Sequence, residues 1–491
     1  MEAVIRGRTP RPLVAGWAAL IFGLVASAGL ILRHPDGLGV TAGAAVCFLG
    51  LVALTHRRLL AWRPMVALIV LVLLLIPIRR YQVASGLAFN LEIYRMLLFC
   101  VGGLWLASLL IDPHIRFRKS IMDAPFAILG LVYLASIVAC GTRLNQPGLA
   151  SAAIKQCFLF LSFLLLYFVI TSVTRSFTDI EALLRVLVCG GAVVAFFALI
   201  EARTHQNVFN HLSTVVPFLK LTSALSASDL ARGGHQRVLG SAQHPIALSA
   251  LLVMLVPLAG YLGERTRQRR WWLATFLLVA AAFATLSRTG IVMLIIVFLV
   301  YLFLRPRAVL KLFHRSKIYI VPMLIVVHLA LPGTLGTLHD LFFANGGLIA
   351  QQSGGQVGSG RVASFGPGLA VIGQHPILGL GYGTRIPDPD SPYVNSFITD
   401  DGWLGTGMEA GILGILAWVG IFVSFLVRLA RASGRDKTAR GRFLVACAAS
   451  STAFAVGMAT YDALSFLQVT FCLFIVLALG SVAYRVKDAP A

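Results

Sequence analysis

The chain has 491 residues, 58% of them hydrophobic and only 12% charged, with 31 Phe. That balance excludes a water-soluble domain of this length and fits a membrane protein with many spans. The net charge of +22 is therefore a topology signal before it is a sign of nucleic-acid affinity, and no nucleic acid is expected among the partners.

Fourteen apolar runs are each near the length that crosses ~30 Å of hydrocarbon. They begin near Pro12, Leu38, Pro64, Tyr94, Ala124, Ile154, Ala182, Pro245, Trp271, Ile291, Ile318, Trp403, Phe443 and Leu464. The predicted fold is all-α, one polytopic membrane domain over residues 1–491 with about 14 transmembrane helices. If every run spans, the loops alternate sides and the basic residues collect on one set of them. These are Arg6, Arg8 and Arg11; Arg57, Arg58 and Arg63; Arg116, Arg118 and Lys119; Arg265 to Arg270; Arg305 to Lys317; Arg428 to Arg442; and Arg485 with Lys487. The positive-inside rule makes those loops and both termini cytoplasmic, with only the loop around Arg175 weakly basic. The first run, preceded by three arginines, reads as an ordinary span and not as a cleavable signal peptide. Seven cysteines lie in or beside apolar runs without CxxC spacing, which indicates neither a disulfide framework nor a zinc site.

The same alternation turns two long polar interruptions outward, residues 201–244 and 332–402. A shorter outward segment, residues 79–95, reads as an ordinary loop in contact with lipid headgroups. In the first long loop, Arg237-Val-Leu-Gly240-Ser-Ala-Gln-His244-Pro245 leads straight into a span and sets Arg237 and His244 at the outer surface. Between the next two spans lies the near-hairpin Ser287-Arg288-Thr289-Gly290. An outward arginine there is either a snorkelling side chain or an anion ligand beside a helix N-terminus, whose N–H groups and dipole favour phosphate.

In the second long loop, Arg361 follows a Gly/Gln/Ser-rich stretch and precedes an apolar segment, which places it at the start of a short helix. His375-Pro-Ile-Leu-Gly379-Leu-Gly381 is a glycine-dense turn in which Gly379 and Gly381 let backbone approach a ligand. Asp400 and Asp401 stand at the entry of the next span, as N-cap residues or as acids of a site. Glu409 falls about two turns inside that span, where a carboxylate needs a polar cavity or a cationic partner such as Arg288 or Arg361.

Taken in order, Arg237-x-x-Gly240, Ser287-Arg288-x-Gly290, Arg361, Ile372-Gly-Gln-His-Pro-Ile-Leu-Gly-Leu-Gly381, and Asp400-Asp-Gly-Trp-Leu ending in Glu409-Ala-Gly-Ile-Leu-Gly414 resemble the O-antigen ligase and polymerase superfamily over about residues 237–425. The resemblance implies a GT-C-like helical bundle with a large outward catalytic loop in the bacterial plasma membrane. It implies transfer of a glycan from an undecaprenyl-pyrophosphate-linked donor to an acceptor hydroxyl, without a cofactor or metal. Arg288 and Arg361 are then the catalytic clamp on the pyrophosphate, and Asp400 is the candidate base or acceptor-orienting residue, with His375 and His244 behind it. Arg237, His244, His375, Gly379, Gly381, Asp401 and Glu409 are the substrate-binding candidates.

Ligases of the superfamily often carry His-Asn where this chain has Asp400-Asp401, which tilts the reading toward polymerisation in O-antigen or exopolysaccharide synthesis. Ligation onto lipid A-core is the alternative, and a lipid-linked oligosaccharide flippase is the alternative of another class. The expected partners are the lipid-linked donor, the glycan acceptor, membrane lipids and polysaccharide export proteins.

Overall fold

In the computed structural model the described residues are 61–83, 92–111, 115–223, 231–232, 235–307, 361–385 and 401–486. They form a helical bundle of α1 (Trp62–Leu75), α2 (Ile93–Ile111), α3 (Asp123–Ala139), α4 (Leu149–Val173), α5 (Phe177–Thr204), α6 (Pro245–Thr266), α7 (Arg269–Ala284), α8 (Arg288–Leu304), α9 (Arg361–Gln374), α10 (Gly402–Arg435), α11 (Ala439–Gly457) and α12 (Leu467–Arg485). Eleven of the fourteen predicted starts have a helix beginning within five residues of them. The runs near Pro12, Leu38 and Ile318 lie outside the described residues. Six helices, α2, α4, α5, α6, α10 and α12, are long and apolar enough to cross a membrane, and α1, α3 and α8 are shorter apolar helices. This fits an all-α membrane protein without fixing the number of spans at fourteen.

Burial sorts the helices. The apolar windows of α12 and α6 are 94% and 83% buried, whereas those of α4 and α10 are 44% buried. The first two are therefore the central posts, and the outer helices keep one face for lipid, where Leu110, Phe158 and Leu416 are exposed. A helix that is apolar all round must be interior or lipid-facing, and here both cases occur.

Helix ends follow local signals. At the start of α5, the Ser176 hydroxyl accepts from the Asp179 N–H while the Asp179 carboxylate accepts from the Ser176 N–H, a reciprocal capping box. At its other end His205 closes the helix in the left-handed conformation, φ 58°. The arginines gather at one end of the bundle, where they bridge helix termini. Arg485 donates to the Thr171 carbonyl at 3.0 Å, Arg440 to the Ala483 and Tyr484 carbonyls at 2.7 and 2.8 Å, and Arg305 to the Asp436 carbonyl at 3.0 Å.

The opposite end carries the features that the sequence turned outward. A two-stranded antiparallel pair, β1 (Tyr81–Val83) with β2 (Leu219–Leu221), joins the segment after α1 to the first long loop. Arg80, expected at lipid headgroups, is instead buried and donates to the carbonyls of Gly240 and Ala242 at 3.0 and 3.2 Å. Glu201, on the last turn of α5, accepts from the Leu239 and Gly240 N–H groups at 3.0 and 2.8 Å. A buried guanidinium and a buried carboxylate thus satisfy the backbone of residues 239–242 from two sides, where unmet polar groups would each cost about 1–3 kcal/mol. Gly240, at φ +54°, supplies the turn between them.

Candidate functional site

Two clusters occupy this end. The first is the α7–α8 hairpin. Leu286 turns it with φ 50°, an uncommon conformation for a branched residue, and Ser287 takes the N-cap position of α8. The Ser287 hydroxyl makes no capping bond to the first turn, whose N–H groups have no partner within the helix. Ser287 and Thr289 are 2% and 1% exposed, and neither hydroxyl has a hydrogen-bond partner among the described residues. Arg288 is half-buried at the helix start.

Arg237, only 5% exposed, donates from Nε to the Thr285 carbonyl at 3.0 Å, 48 residues on, so the structure brings Arg237 to the hairpin that carries Arg288. Gly290, the last residue of that motif, is a packing residue: a Cβ there would lie 1.9 Å from the Ser249 hydroxyl of α6. Two guanidinium groups, two buried hydroxyls and a positive helix end are all groups that favour an anion.

His244 caps α6, its Nδ1 accepting from the Ile246 N–H at 3.2 Å, with Pro245 at the first helical position. That geometry gives His244 a structural task, and His244→Ala is expected to cost about 0.5–2 kcal/mol of stability. Asn restores a capping acceptor, so thermal unfolding of the His244→Asn protein should return close to wild type; equal losses in both variants would contradict a capping role. The His244 ring lies 5.9 Å from Phe466, which lies 5.8 Å from Tyr461, and this row of rings leads to the second cluster.

The second cluster is built on a break in α10. Gly411 has φ 63° and ψ −163°, which no helix accommodates, so the carbonyls before it and the N–H groups after it lose their helical partners. The turn after α9 supplies replacements. Leu380 and Gly381 donate to the Met408 and Glu409 carbonyls at 2.8 and 3.1 Å, and Ile412 and Leu413 donate to the Pro376 and Ile377 carbonyls at 2.8 and 3.3 Å. The Ser136 hydroxyl of α3 reaches the Leu378 and Glu409 carbonyls at 2.7 and 2.9 Å. Irregular backbone at membrane depth is tolerated when protein meets its polar groups in this way.

The same packing says what the glycines approach. A Cβ on Gly379, at φ +68°, would lie 2.5 Å from the Glu409 backbone, so this glycine admits helix α10 to the turn and not a ligand. Gly381, at φ +108°, faces Cys140 and Thr384. His375 is exposed at the end of α9, its N–H bonded to the Val371 carbonyl at 3.1 Å.

The break also fixes Glu409. Among the described residues its ionic partner is Arg385, which the sequence did not single out, where Arg288 or Arg361 was expected; the Arg361 side chain lies outside the described residues. Arg385 Nε lies 3.4 Å from Glu409 Oε1 and Arg385 Nη2 lies 3.5 Å from Asp462 Oδ2. The Gly383 N–H donates to Glu409 Oε2 at 3.3 Å and the Ser465 hydroxyl to Asp462 Oδ2 at 2.6 Å. Burial pushes the Asp462 carboxyl above the ordinary carboxylate range, against the pull of Arg385. These groups line a recess with Tyr133, Phe160 and Tyr382.

Asp401 is the N-cap of α10, its Oδ1 accepting from Leu404 N–H at 2.9 Å, and it is 6% exposed. Arg361 is the first residue of α9, as its place before an apolar segment predicted. Asp400 and the rest of the outward loop at 332–360 and 386–399 lie outside the described residues. Asp462 left one faint sequence signal, an acid at the outward end of an apolar hairpin in a chain with only 19 Asp and Glu.

Fold and site together define a polytopic helical membrane protein with a cationic hairpin and an acid-flanked arginine at one end. Residues 273–419 match the family model for O-antigen ligase, which supports the resemblance to the O-antigen ligase and polymerase superfamily. The match supports a ligase or polymerase role in O-antigen biosynthesis. It spans α7 to the first half of α10, so Arg288, Arg361, Arg385 and Glu409 fall inside it while Arg237 and Asp462 fall outside. No curated protein matches the chain.

Proposed function

We propose that the protein is a glycosyltransferase that polymerises oligosaccharide repeat units carried on undecaprenyl pyrophosphate at the outer face of the bacterial plasma membrane. The observation that carries this reading is the start of α8, where uncapped N–H groups and the unpartnered hydroxyls of Ser287 and Thr289 sit beside Arg288 and the hairpin-bound Arg237. In the transfer step the acceptor oxygen bonds to the anomeric carbon of the donor sugar. The bond from that carbon to the pyrophosphate oxygen breaks, and its electron pair leaves with the pyrophosphate. Arg288 and Arg361 stabilise the charge that develops there, by two parallel N–H bonds that a planar guanidinium can offer. The acceptor proton passes to Asp400.

The test is the size distribution of carrier-linked and exported glycan in cells lacking the protein, complemented with wild type, Arg361→Ala or Asp400→Asn. Single repeat units accumulating on the outer leaflet with either variant support polymerisation. Long chains stranded on the carrier assign ligation instead. Full rescue by both variants, or repeat units retained inside the cell, would overturn the catalytic reading.

A further inference from the structure

We infer that the recess around Arg385 is a subsite for one uncharged, hydroxyl-bearing corner of the acceptor sugar; the inference rests on the glycosyltransferase reading above. Its walls have the two chemistries that a carbohydrate requires. Tyr133 and Tyr382 stack with ring centroids 3.7 Å apart and an interplanar angle of 10°, and Phe160 meets Tyr133 edge-on at 5.1 Å, so one side is aromatic. The other side presents Glu409, Arg385 and Asp462. Aromatic rings make apolar contact with the C–H groups of an inserted corner, and carboxylates accept strongly from its hydroxyl.

The carboxylates have acceptor capacity left for this. An ionised carboxylate offers about four lone-pair sites. The two Arg385 contacts, at 3.4 and 3.5 Å, are longer than the roughly 2.7–2.9 Å of a tight charge-assisted bond. Arg385 therefore holds both acids in place without saturating either one.

Size and charge then select. The cavity is about 50 Å³, and a water occupies roughly 30 Å³ of liquid. The recess accepts one exocyclic group such as a hydroxymethyl, and the remainder of the ring stays outside. Among the described residues that line the recess, two acids stand against one guanidinium, which makes the lining more acidic than basic. A uronic acid or a phosphorylated sugar presented there meets like charge, which is discrimination by repulsion. Position fits the task as well: Gly402 and Thr406, in the first turns of α10, also line the recess, and Gly402 follows Asp400 by two residues in the chain.

The experiment uses the full-length protein in detergent and saturation-transfer NMR titrations with methyl β-glucopyranoside, methyl N-acetyl-β-glucosaminide and methyl β-glucuronide as probes. At least one neutral glycoside should bind about 10-fold or more tightly than the glucuronide. Glu409→Gln removes one charged acceptor and should weaken that binding by about 10-fold, in line with a lost hydrogen bond to a charged group, while narrowing the gap to the glucuronide. Asp462→Asn is the second variant, and if neither variant folds, the wild-type preference between neutral and acidic probes decides alone.

Equal binding of all three probes, or neutral binding unchanged in both folded variants, overturns the subsite. A wild-type protein that elongates glycan yet shows no neutral preference loses the subsite and keeps the transferase reading. Neutral-selective binding by a protein that elongates nothing overturns the transferase reading and leaves a glycan-binding recess.

Discussion

Replacing Arg288 with alanine is expected to slow glycan transfer by about 100- to 1,000-fold, the usual cost of removing one fixed donor aimed at developing charge. The guanidinium stands at the start of α8, where the helix already offers uncapped N–H groups, so its loss removes the part of the site that carries a full charge. Ground-state binding of the donor should change less than the rate, because the leaving group gains charge only as the glycosidic bond breaks. Arg288→Lys should recover a fraction of the rate: the charge returns, but the two parallel bonds to phosphate oxygens do not. Single-turnover transfer with purified protein and carrier-linked donor measures both effects, and thermal unfolding shows whether the fold is intact. A folded Arg288→Ala protein that transfers glycan at the wild-type rate would remove Arg288 from the chemistry.

Gly411→Ala should be the most damaging small substitution in α10. The residue sits at φ 63° and ψ −163°, a region that is essentially glycine-only and costs about 1–3 kcal/mol for any other residue. A Cβ would also stand 2.3 Å from the Ile377 carbonyl oxygen and 2.6 Å from the Leu378 nitrogen. Those are backbone atoms, and they cannot swing aside as a side chain can. The turn must then separate from the helix, and the four replacement bonds at the break separate with it. We expect a large fall in unfolding temperature or loss of the protein from the membrane. Gly420→Ala, nine residues on in the same helix, is the control. Its Cβ meets nothing within 4 Å, and alanine is favoured over glycine inside a helix by about 0.5–1 kcal/mol. Similar behaviour of the two variants would mean that the break at Gly411 does not constrain the fold.

Much of the bundle was legible because an apolar run of bilayer length has few other uses, and because the basic loops alternate without conflict. Eleven of the twelve helices named above follow from the apolar runs, and α9 follows from the apolar segment after Arg361. The family motif was legible as an ordered set, and the cationic hairpin at Arg288 was visible as an arginine where the charge bias disfavours one. The internal partners were not legible. Arg385 follows a run of glycines whose purpose appears only when Gly411 breaks α10 and the turn fills the gap. Asp462 lies 77 residues beyond Arg385, with no local pattern to join them. Arg80 looked like an interfacial charge and Glu201 was not singled out, since nothing near them in the chain shows that the backbone around Gly240 needs both a donor and an acceptor. His244 stood among the substrate-binding candidates through the family resemblance, whereas the Pro that follows it marks the helix start that it caps.

The arginines at the basic end have a consequence for biogenesis. The arginines that the positive-inside rule weighs in orienting a chain are here the ones that tie helix ends together: Arg440 to the end of α12, Arg485 to the end of α4, Arg305 to the end of α10. A segment inserted upside down therefore presents its arginine to the wrong compartment and also leaves the carbonyls of another helix without their donors. Turning such a segment over would then cost those hydrogen bonds as well as the favoured placement of its charge.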